Sequence, residues 1–452
     1  MSRSNVILIV ADQHRWDCTG YGGNLDLRTP NLDALASHGV SFTQAVCQYP
    51  VCVPSRATLL TGQYVCHHGV RSNCEGLPES AVTLPRLLRD AGYDTACVGK
   101  MHFVPTHGDC GFEVMRLAEQ DGEGRYEDDY HRWLKEQGVV DQVDEWDQVD
   151  RENAPQEYWD TFGALPSNLS EAQYSTTWIG NAAVRFVQTA NEPFFLMVGF
   201  IKPHHPFDPP EPWNRLYDPD TLRLPPDWRL PVPEEDARHG GFFDPRQMTE
   251  AKFRRVLAYY YASISYVDHQ IGRLLATLTS RGFTNNLFVY CADHGDYMGQ
   301  HGLIVKNDAL LYDSLLRAPL LIAGMRGQRR GKGDPSLAQL TDVAPTILEA
   351  AGLDVPSCID GVSLAPCLRR SKALLRREAF CEGPNHARIV RTQQHKLIES
   401  EREDIRAFYD LEEDPFEFEN LYGRPESSER QDELESALRR VVNGLSEKPS
   451  TW

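Results

Sequence analysis

The sequence contains no apolar run approaching the ~18–20 residues that a membrane-crossing helix needs, which excludes a helical membrane protein. Basic charge is scarce: 46 Lys and Arg against 65 Asp and Glu leave a net charge of −19 at pH 7. That balance argues against nucleic acid or an anionic membrane as partner, since both demand a basic footprint. It still admits a small anionic substrate, because a site can be locally basic inside an acidic body. The 11 cysteines are an odd number without a repeated spacing, so they suggest neither a disulfide framework nor a structural zinc motif. The pairs His67-His68 and His204-His205 also lack zinc-site spacing. Internal repeats and low-complexity tracts are missing too. The first strand-like run begins almost at Met1, which leaves no room for a signal peptide and, with the scattered cysteines, predicts a cytoplasmic protein with reduced thiols.

What is present is an ordinary globular composition, 41% hydrophobic and 25% charged. At 452 residues the chain has length for about two to four domains of roughly 100–200 residues each, and it can bury a full core without disulfides. Asn5 to Ala11 is a continuous apolar run rich in β-branched residues, the pattern of a strand buried on both faces. Thr29-Pro30 opens a helix that closes at Gly39; further helices are predicted after Pro54, from Thr83 to Gly92, from Gln173 to Ala190, from Thr249 to Gly282 and from Thr341 to Ala351. Strands are predicted at Tyr93–Gly99, Phe194–Phe200, Asn286–Ala292 and Pro319–Ala323. Strands alternating with helices mean an α/β protein with a mostly parallel sheet and helices on both faces. Glu119 to Pro155 is acidic and reads as an inserted surface region, and the Pro-rich stretch Pro203–Pro233 reads as loop. Beyond Leu368 the texture changes to short half-polar strands and a closing helix at Arg430–Val442. The division expected is a catalytic domain over 1–368 and a smaller α+β subdomain over 369–452.

In an open α/β sheet, ligands sit outside the carboxyl ends of the strands. Two strands here run into polar clusters, Asp12-Gln13 and Asp293-His294-Gly295-Asp296. Carboxylates, an amide oxygen and a ring nitrogen converging from strand ends suit a hard divalent cation, although an Asp after a strand can simply cap a turn. Cys52, in Cys52-Val53-Pro54-Ser55-Arg56, stands at the mouth of a helix, where backbone N–H groups suit an anion or a thiolate. A buried structural thiol, or a disulfide with Cys47, is the plainer alternative.

Cys-x-Pro-Ser-Arg followed by Ala-Thr-Leu-Leu-Thr-Gly resembles the sulfatase signature, in which the Cys is oxidised to Cα-formylglycine. The resemblance extends in order through Asp12-Gln13, the Thr-Pro-Asn-Leu-Asp run at 29–33, Gly99-Lys100-Met101-His102, Lys202-Pro203-His204, Asp293-His294-Gly295-Asp296 and Leu411-x-x-Asp414-Pro415. It implies an alkaline-phosphatase-like α/β fold and one divalent cation, calcium in most of the family, held by Asp12, Gln13, Asp293, His294 and the modified Cys52. Gln13 stands where many relatives have Asp, and His294 where many have Asn, which leaves magnesium or manganese open. The resemblance further makes Lys100 and Lys306 clamps on the sulfate oxygens, His102 the base toward the aldehyde hydrate, and His204 the proton donor to the leaving alcohol. Arg56, one helical turn on from Cys52, would hold the hydrate and offset negative charge. If the segment after Gly99 is extended, Lys100 and His102 face one side.

The implied reaction is hydrolysis of a sulfate ester to alcohol and inorganic sulfate. The alternative within the superfamily is a phosphonate monoester or phosphodiester hydrolase, since those esters share tetrahedral shape and charge spread; a non-catalytic binding protein is disfavoured because each charged position of the site is filled. Implied partners are a small-molecule or saccharide sulfate ester and a formylglycine-generating enzyme. The acidic insertion and the 203–233 loop are expected to wall the leaving-group side.

Overall fold

The computed structural model describes residues 3–446 apart from 121, 308, 371–374 and 403–404. Its large sheet comprises β1 (Asn5–Asp12), β2 (Val40–Val46), β3 (Asp94–Gly99), β4 (Val114–Leu117), β5 (Phe194–Pro203), β6 (Asn286–Ala292), β7 (Leu320–Ala323) and β8 (Lys332–Gln339). The spatial order is β4-β3-β5-β1-β6-β7-β2-β8. Every pairing is parallel except those of β7 with β6 and β2. β1 and β5 are buried along their whole length, as an unbroken apolar run requires. Side chains alternate across the sheet: Val6, Leu8 and Val10 join one core layer, with Val53, Leu59, Leu60 and Leu88 from the helices Cys52–Thr61 and Leu84–Asp90. Ile7, Ile9 and Ala11 join the other, with Ile179 and Ile271 from the helices Ser175–Thr189 and Glu250–Ser280.

A small antiparallel sheet follows, formed by β9 (Ala379–Gly383), β10 (Ala387–Arg391), β11 (His395–Glu399) and β12 (Ala407–Asp410). Phe380, Val390, Leu397 and Phe408 on one face pack against Leu434, Ala437 and Leu438 of the helix Ser428–Ser446. Cys381, Ile389 and Ile398 on the other face merge with the core of the large sheet. Among the described residues, no helix is long and apolar enough to cross a membrane.

The segment predicted as a surface insertion behaves differently. It contains the helices Asp129–Glu136 and Gln142–Gln148, with Tyr130, Leu134 and Val143 buried. Its acidity misleads because the carboxylates are paired inside: Asp144 with Arg125, Asp128 with His131 and Asp147 with His205. Three strands, β2, β4 and β8, lie outside the predicted set.

Candidate active site

β1 and β6 are neighbours, paired from Asn5 opposite Asn286 to Ala11 opposite Ala292. Their carboxyl ends therefore deliver Asp12 and Asp293 side by side. Cys52 is the first residue of its helix, three residues earlier than predicted, and the cap position Val51 supplies no side-chain acceptor. The first-turn N–H groups beyond Cys52 are spoken for: Val53 N donates to Asn73 Oδ1 at 3.1 Å, Pro54 has none, and Ser55 N donates to Val51 O. β3 reaches the site through a close approach. Lys100 N donates to Gly199 O at 2.7 Å, and a Cβ on Gly199 would lie 2.1 Å from the Lys100 carbonyl oxygen.

Asp12, Cys52, Asp293 and His294 are all buried, and each offers a ligand atom within 4.8 Å of the others. Each carboxylate is divided between two tasks. Asp12 gives Oδ2 to Lys100 Nζ (2.6 Å) and to Arg56 (3.2 Å), while Oδ1 faces Cys52 Sγ (3.6 Å) and His294 Nε2 (3.8 Å). Asp293 gives Oδ2 to Arg56 Nε at 2.9 Å, and its Oδ1 lies 3.9 Å from His294 Nε2. The Nδ1–H of His294 donates to Gly295 O at 2.8 Å, which leaves the Nε2 lone pair toward the cluster. Gln13 donates from Nε2 to Asp296 Oδ2 at 2.5 Å, and its Oε1 is buried without a donor. An orphaned buried acceptor costs about 1–3 kcal/mol; a cation would satisfy it. The donor set of two carboxylate oxygens, an amide oxygen, an imidazole nitrogen and residue 52 therefore fits a divalent cation.

Lys306 closes the ring, donating to His294 Nε2 at 2.9 Å and lying 3.0 Å from Cys52 Sγ. Burial and the Asp12 carboxylate push the Cys52 thiol up, but Lys306, Lys100 and His294 outweigh them and hold it at about 5. Cys97 and Cys291, buried away from such cations, are pushed up instead. Burial likewise pushes Asp12 up, and Lys100, His204, Arg56 and Lys306 together hold it well below the usual carboxylate range. Cys47 is a free thiol, so the disulfide alternative for Cys52 falls.

Two expectations need correction. Arg56 directs its guanidinium at Asp293, Asp12 and the Lys100 carbonyl oxygen (2.6 Å), so it compensates the carboxylates and does not reach out to residue 52. His102 has φ 71, so the segment after Gly99 is not extended and the alternation argument for Lys100 and His102 fails. Instead Glu119 Oε1 gathers the amides of Met101 (3.1 Å) and His102 (2.9 Å). Gln13, and Met298 and Val305, whose amides donate to Asp296 Oδ1, are further non-glycine residues at positive φ beside the site, the kind of backbone that collects at functional centres.

His204 lies within electrostatic reach of Asp12, Lys100 and Lys306. Its Nδ1–H donates to His205 O at 2.7 Å, which turns Nε2 away from that anchor. Its ring stacks on that of His205 at 4.1 Å between centroids. Lys202 is directed elsewhere, to Asp208 at 2.6 Å. Sequence reasoning missed Glu119, Gln120 and Asp147, which hold the loops carrying Lys100, His102 and His204. Within an acidic stretch they carry no signal that separates them from solvated carboxylates and amides.

Comparison with known proteins agrees with this geometry. The family profile described as Sulfatase matches residues 4–353, and one described as N-sulphoglucosamine sulphohydrolase, C-terminal, matches residues 299–444. The chain is 31% identical over 473 residues to an arylsulfatase of Clostridium perfringens (strain 13 / Type A), covering 98% of this chain and 95% of that protein. It is 27% identical over 513 residues to an N-acetylglucosamine-6-O-sulfatase of Bacteroides thetaiotaomicron, covering 96% and 86%. Among solved structures, the phosphonate monoester hydrolase of Agrobacterium radiobacter superposes with a TM-score of 0.82 at 25% identity, covering 98% of this chain and 96% of that one.

Proposed function

The chain belongs to the sulfatase family, with its alkaline-phosphatase-like fold, and is a sulfuric-ester hydrolase; on that premise we propose that its nucleophile is a formylglycine made from Cys52 by a formylglycine-generating enzyme. One observation carries the reading: Cys52 Sγ sits at a buried helix start, 3.6 Å from Asp12 Oδ1, 3.3 Å from His294 Nε2 and 3.0 Å from Lys306 Nζ. Oxidised and hydrated, residue 52 would offer two hydroxyls on one carbon, one to attack sulfur and one to expel sulfate and restore the aldehyde. A divalent cation held by Asp12, Gln13, Asp293, His294 and residue 52 would supply Lewis-acid stabilisation of the charge on the sulfate oxygens. Calcium is the ion the family resemblance implies, and magnesium or manganese are the alternatives for this donor set.

The chain's own residues do the rest. Lys100 and Lys306 bind sulfate oxygens from the two sides of residue 52. Arg56 offsets the charge of Asp12 and Asp293 at their Oδ2 atoms, leaving their Oδ1 atoms for the cation. His102 accepts the proton of the second hydroxyl. His204, with Nδ1–H held by His205 O, must take up a second proton as imidazolium to present Nε2–H to the leaving oxygen, against the burial and His205 that hold it well below the usual imidazole range. The substrate class we favour is a saccharide or small-molecule sulfate ester, in keeping with the sugar sulfatases among the relatives. The 11 cysteines, all free, support the reading of a reducing, cytoplasmic setting. Likeness to the phosphonate monoester hydrolase favours a second, weaker activity on phosphonate monoesters or phosphodiesters.

Mass spectrometry of the peptide containing Cys52, after co-expression with a formylglycine-generating enzyme, tests the reading. An aldehyde reactive toward hydrazides is expected, and specific activity on a panel of aryl, alkyl and sugar sulfates is expected to scale with aldehyde content, exceeding that on a phosphonate monoester. Turnover independent of aldehyde content would sink the mechanism, and faster turnover of the phosphonate would reverse the choice of substrate.

A further inference from the structure

We infer that Gln120 is a positioning residue that sets the sulfate clamp Lys100 and the proton donor His204 in register with one another; the inference rests on the roles proposed for those two residues. Gln120 lies just beyond β4 and is buried. Lys100 Nζ donates to its Oε1 at 3.2 Å, and its Nε2 donates to the His205 carbonyl oxygen at 2.5 Å. That same carbonyl receives the Nδ1–H of His204 at 2.7 Å. One side-chain amide therefore spans the two catalytic loops, and its orientation is dictated by chemistry: an ammonium only donates and a carbonyl oxygen only accepts, so the amide cannot be reversed.

The amide is itself held. Arg125 donates to the Gln120 backbone carbonyl oxygen at 2.7 Å and pairs with Asp144, and the amide's Nε2 donates to Asp144 Oδ1 at 3.4 Å. On the far side Asp147 accepts from His205 Nδ1 at 2.6 Å and from the Tyr158 hydroxyl, fixing the ring on which His204 stacks. The acidic insertion thus works as a frame behind the two loops. Without the amide, the His205 carbonyl keeps, besides His204 Nδ1, only the long contact from Gln148 Nε2 at 3.4 Å, and the Nδ1 anchor of His204 can drift, which matters because proton transfer falls off steeply with misplacement.

The test is a double-mutant cycle read with two leaving groups. Gln120→Met keeps the volume and removes the hydrogen bonds to Lys100, His205 and Asp144; His204→Asn removes the proton donor. Values of kcat/KM are measured on a nitrophenyl sulfate, which departs unaided, and on an alkyl sulfate, which needs a proton. Gln120→Met is expected to lose about tenfold more on the alkyl ester than on the nitrophenyl ester, a part of the ~10²–10⁴-fold that general acid catalysis supplies. In the His204→Asn background that extra loss is expected to vanish, leaving an equal loss on both esters from the loosened Lys100. The inhibition constant of inorganic sulfate is expected to rise severalfold in Gln120→Met alone. Equal losses on both esters in a Gln120→Met protein with wild-type circular dichroism overturn the inference, as does an extra alkyl loss that persists without His204. If His204→Asn itself hits both esters equally, the proton-donor role fails and the inference fails with it. If His204→Asn discriminates and Gln120→Met does not, only the inference fails. Should Gln120→Met not fold, Gln120→Asn, whose shorter amide reaches one partner at a time, is read by the same criteria.

Discussion

Arg56→Met probes the electrostatic frame of the site most directly. The guanidinium is fully buried and carries the only cation recorded on Asp293 Oδ2, at 2.9 Å among the described residues. It also shares Asp12 Oδ2 with Lys100, at 3.2 Å against 2.6 Å. Removing it leaves Asp293 as a buried carboxylate without a counter-charge, whereas Asp12 keeps its lysine. Breaking one partner out of a buried ion pair costs about 3–5 kcal/mol, a large share of the ~5–15 kcal/mol that holds a typical protein folded. With ~2–4 °C lost per kcal/mol in domains of 150–250 residues, the melting temperature is expected to fall by roughly 6–20 °C. The divalent cation proposed here neutralises the same carboxylates from the other side, so a saturating cation should recover part of the deficit. A ligand at 100 times its Kd stabilises by ~2.7 kcal/mol. The assay is differential scanning calorimetry of wild type and variant, each with chelator and with millimolar calcium or magnesium. A variant that melts within about 2 °C of wild type under chelator, or a deficit that no cation reduces, refutes the argument.

Three further outcomes follow from the same site and its surroundings. Asp293→Asn, or chelation of the wild type, is expected to abolish turnover while leaving the circular dichroism spectrum intact; full activity in chelated protein would remove the cation from the mechanism. Unconverted Cys52 is held at about 5 and so is a thiolate at neutral pH; Cys52→Ala, which is expected to be inactive, should therefore bind inorganic sulfate at least tenfold more tightly than unconverted protein by calorimetry, and equal affinities would contradict that charge. Burial, Asp208 and Asp144 push Asp141 up to about 8, against ~3.9 when unfolded. Its contribution to stability is therefore full below the unfolded value and is lost as pH rises toward 8. Asp141→Asn should consequently gain in melting temperature relative to wild type between pH 5 and 8, by up to ~1.4 kcal/mol per pH unit, and a difference that stays flat with pH would overturn this.

The parts of the fold legible in the sequence were those where one physical demand fixes the residues. A strand buried on both faces must be apolar throughout, so β1 and β6 stand out, and the polar residues that end them mark the site. The long helix was bounded to within about two residues because Thr249 caps it through Lys252 N and Gly282 at φ 74 ends it. β8 was illegible for the opposite reason: as an edge strand it tolerates Gly333, Asp334 and Pro335. β4, Val114–Leu117, is a four-residue edge strand with too little pattern to show a period. β2 carries Val40 and Phe42 in alternation, with a register shift between Phe42 and Gln44 that breaks the period of two. The reading of Asp12, Cys52, Lys100, Asp293, His294 and Lys306 as neighbours came from motifs held in order along the chain. What no motif conveyed was the division of labour inside the site: that Arg56 faces the carboxylates, and that Gln120 and Asp147 hold the loops from behind.

The charges of the site explain how a chain with net charge −19 can hold an anionic substrate among buried groups. Asp12, Asp293 and a Cys52 thiolate stand against Arg56, Lys100 and Lys306, within contacts of 2.6 to 3.6 Å. With His294 neutral, three negative charges meet three positive ones and the unconverted site offers an anion little; a protonated His294, opposed by burial and Lys306 but favoured by Asp293 and Cys52, would tip it positive. Conversion of Cys52 to an uncharged aldehyde hydrate removes one negative charge and leaves the site positive before any cation enters; a divalent cation then adds two more positive charges. In a site walled from water these charges act at low effective dielectric, where a unit charge ~4 Å away is worth about 4 kcal/mol at an effective constant of 20. The surrounding acidic surface is screened beyond ~8–10 Å at physiological salt and does not cancel this. The proposed oxidation of Cys52 would therefore act twice: it would create the nucleophile, and it would make the site attractive to the sulfate that the nucleophile must reach.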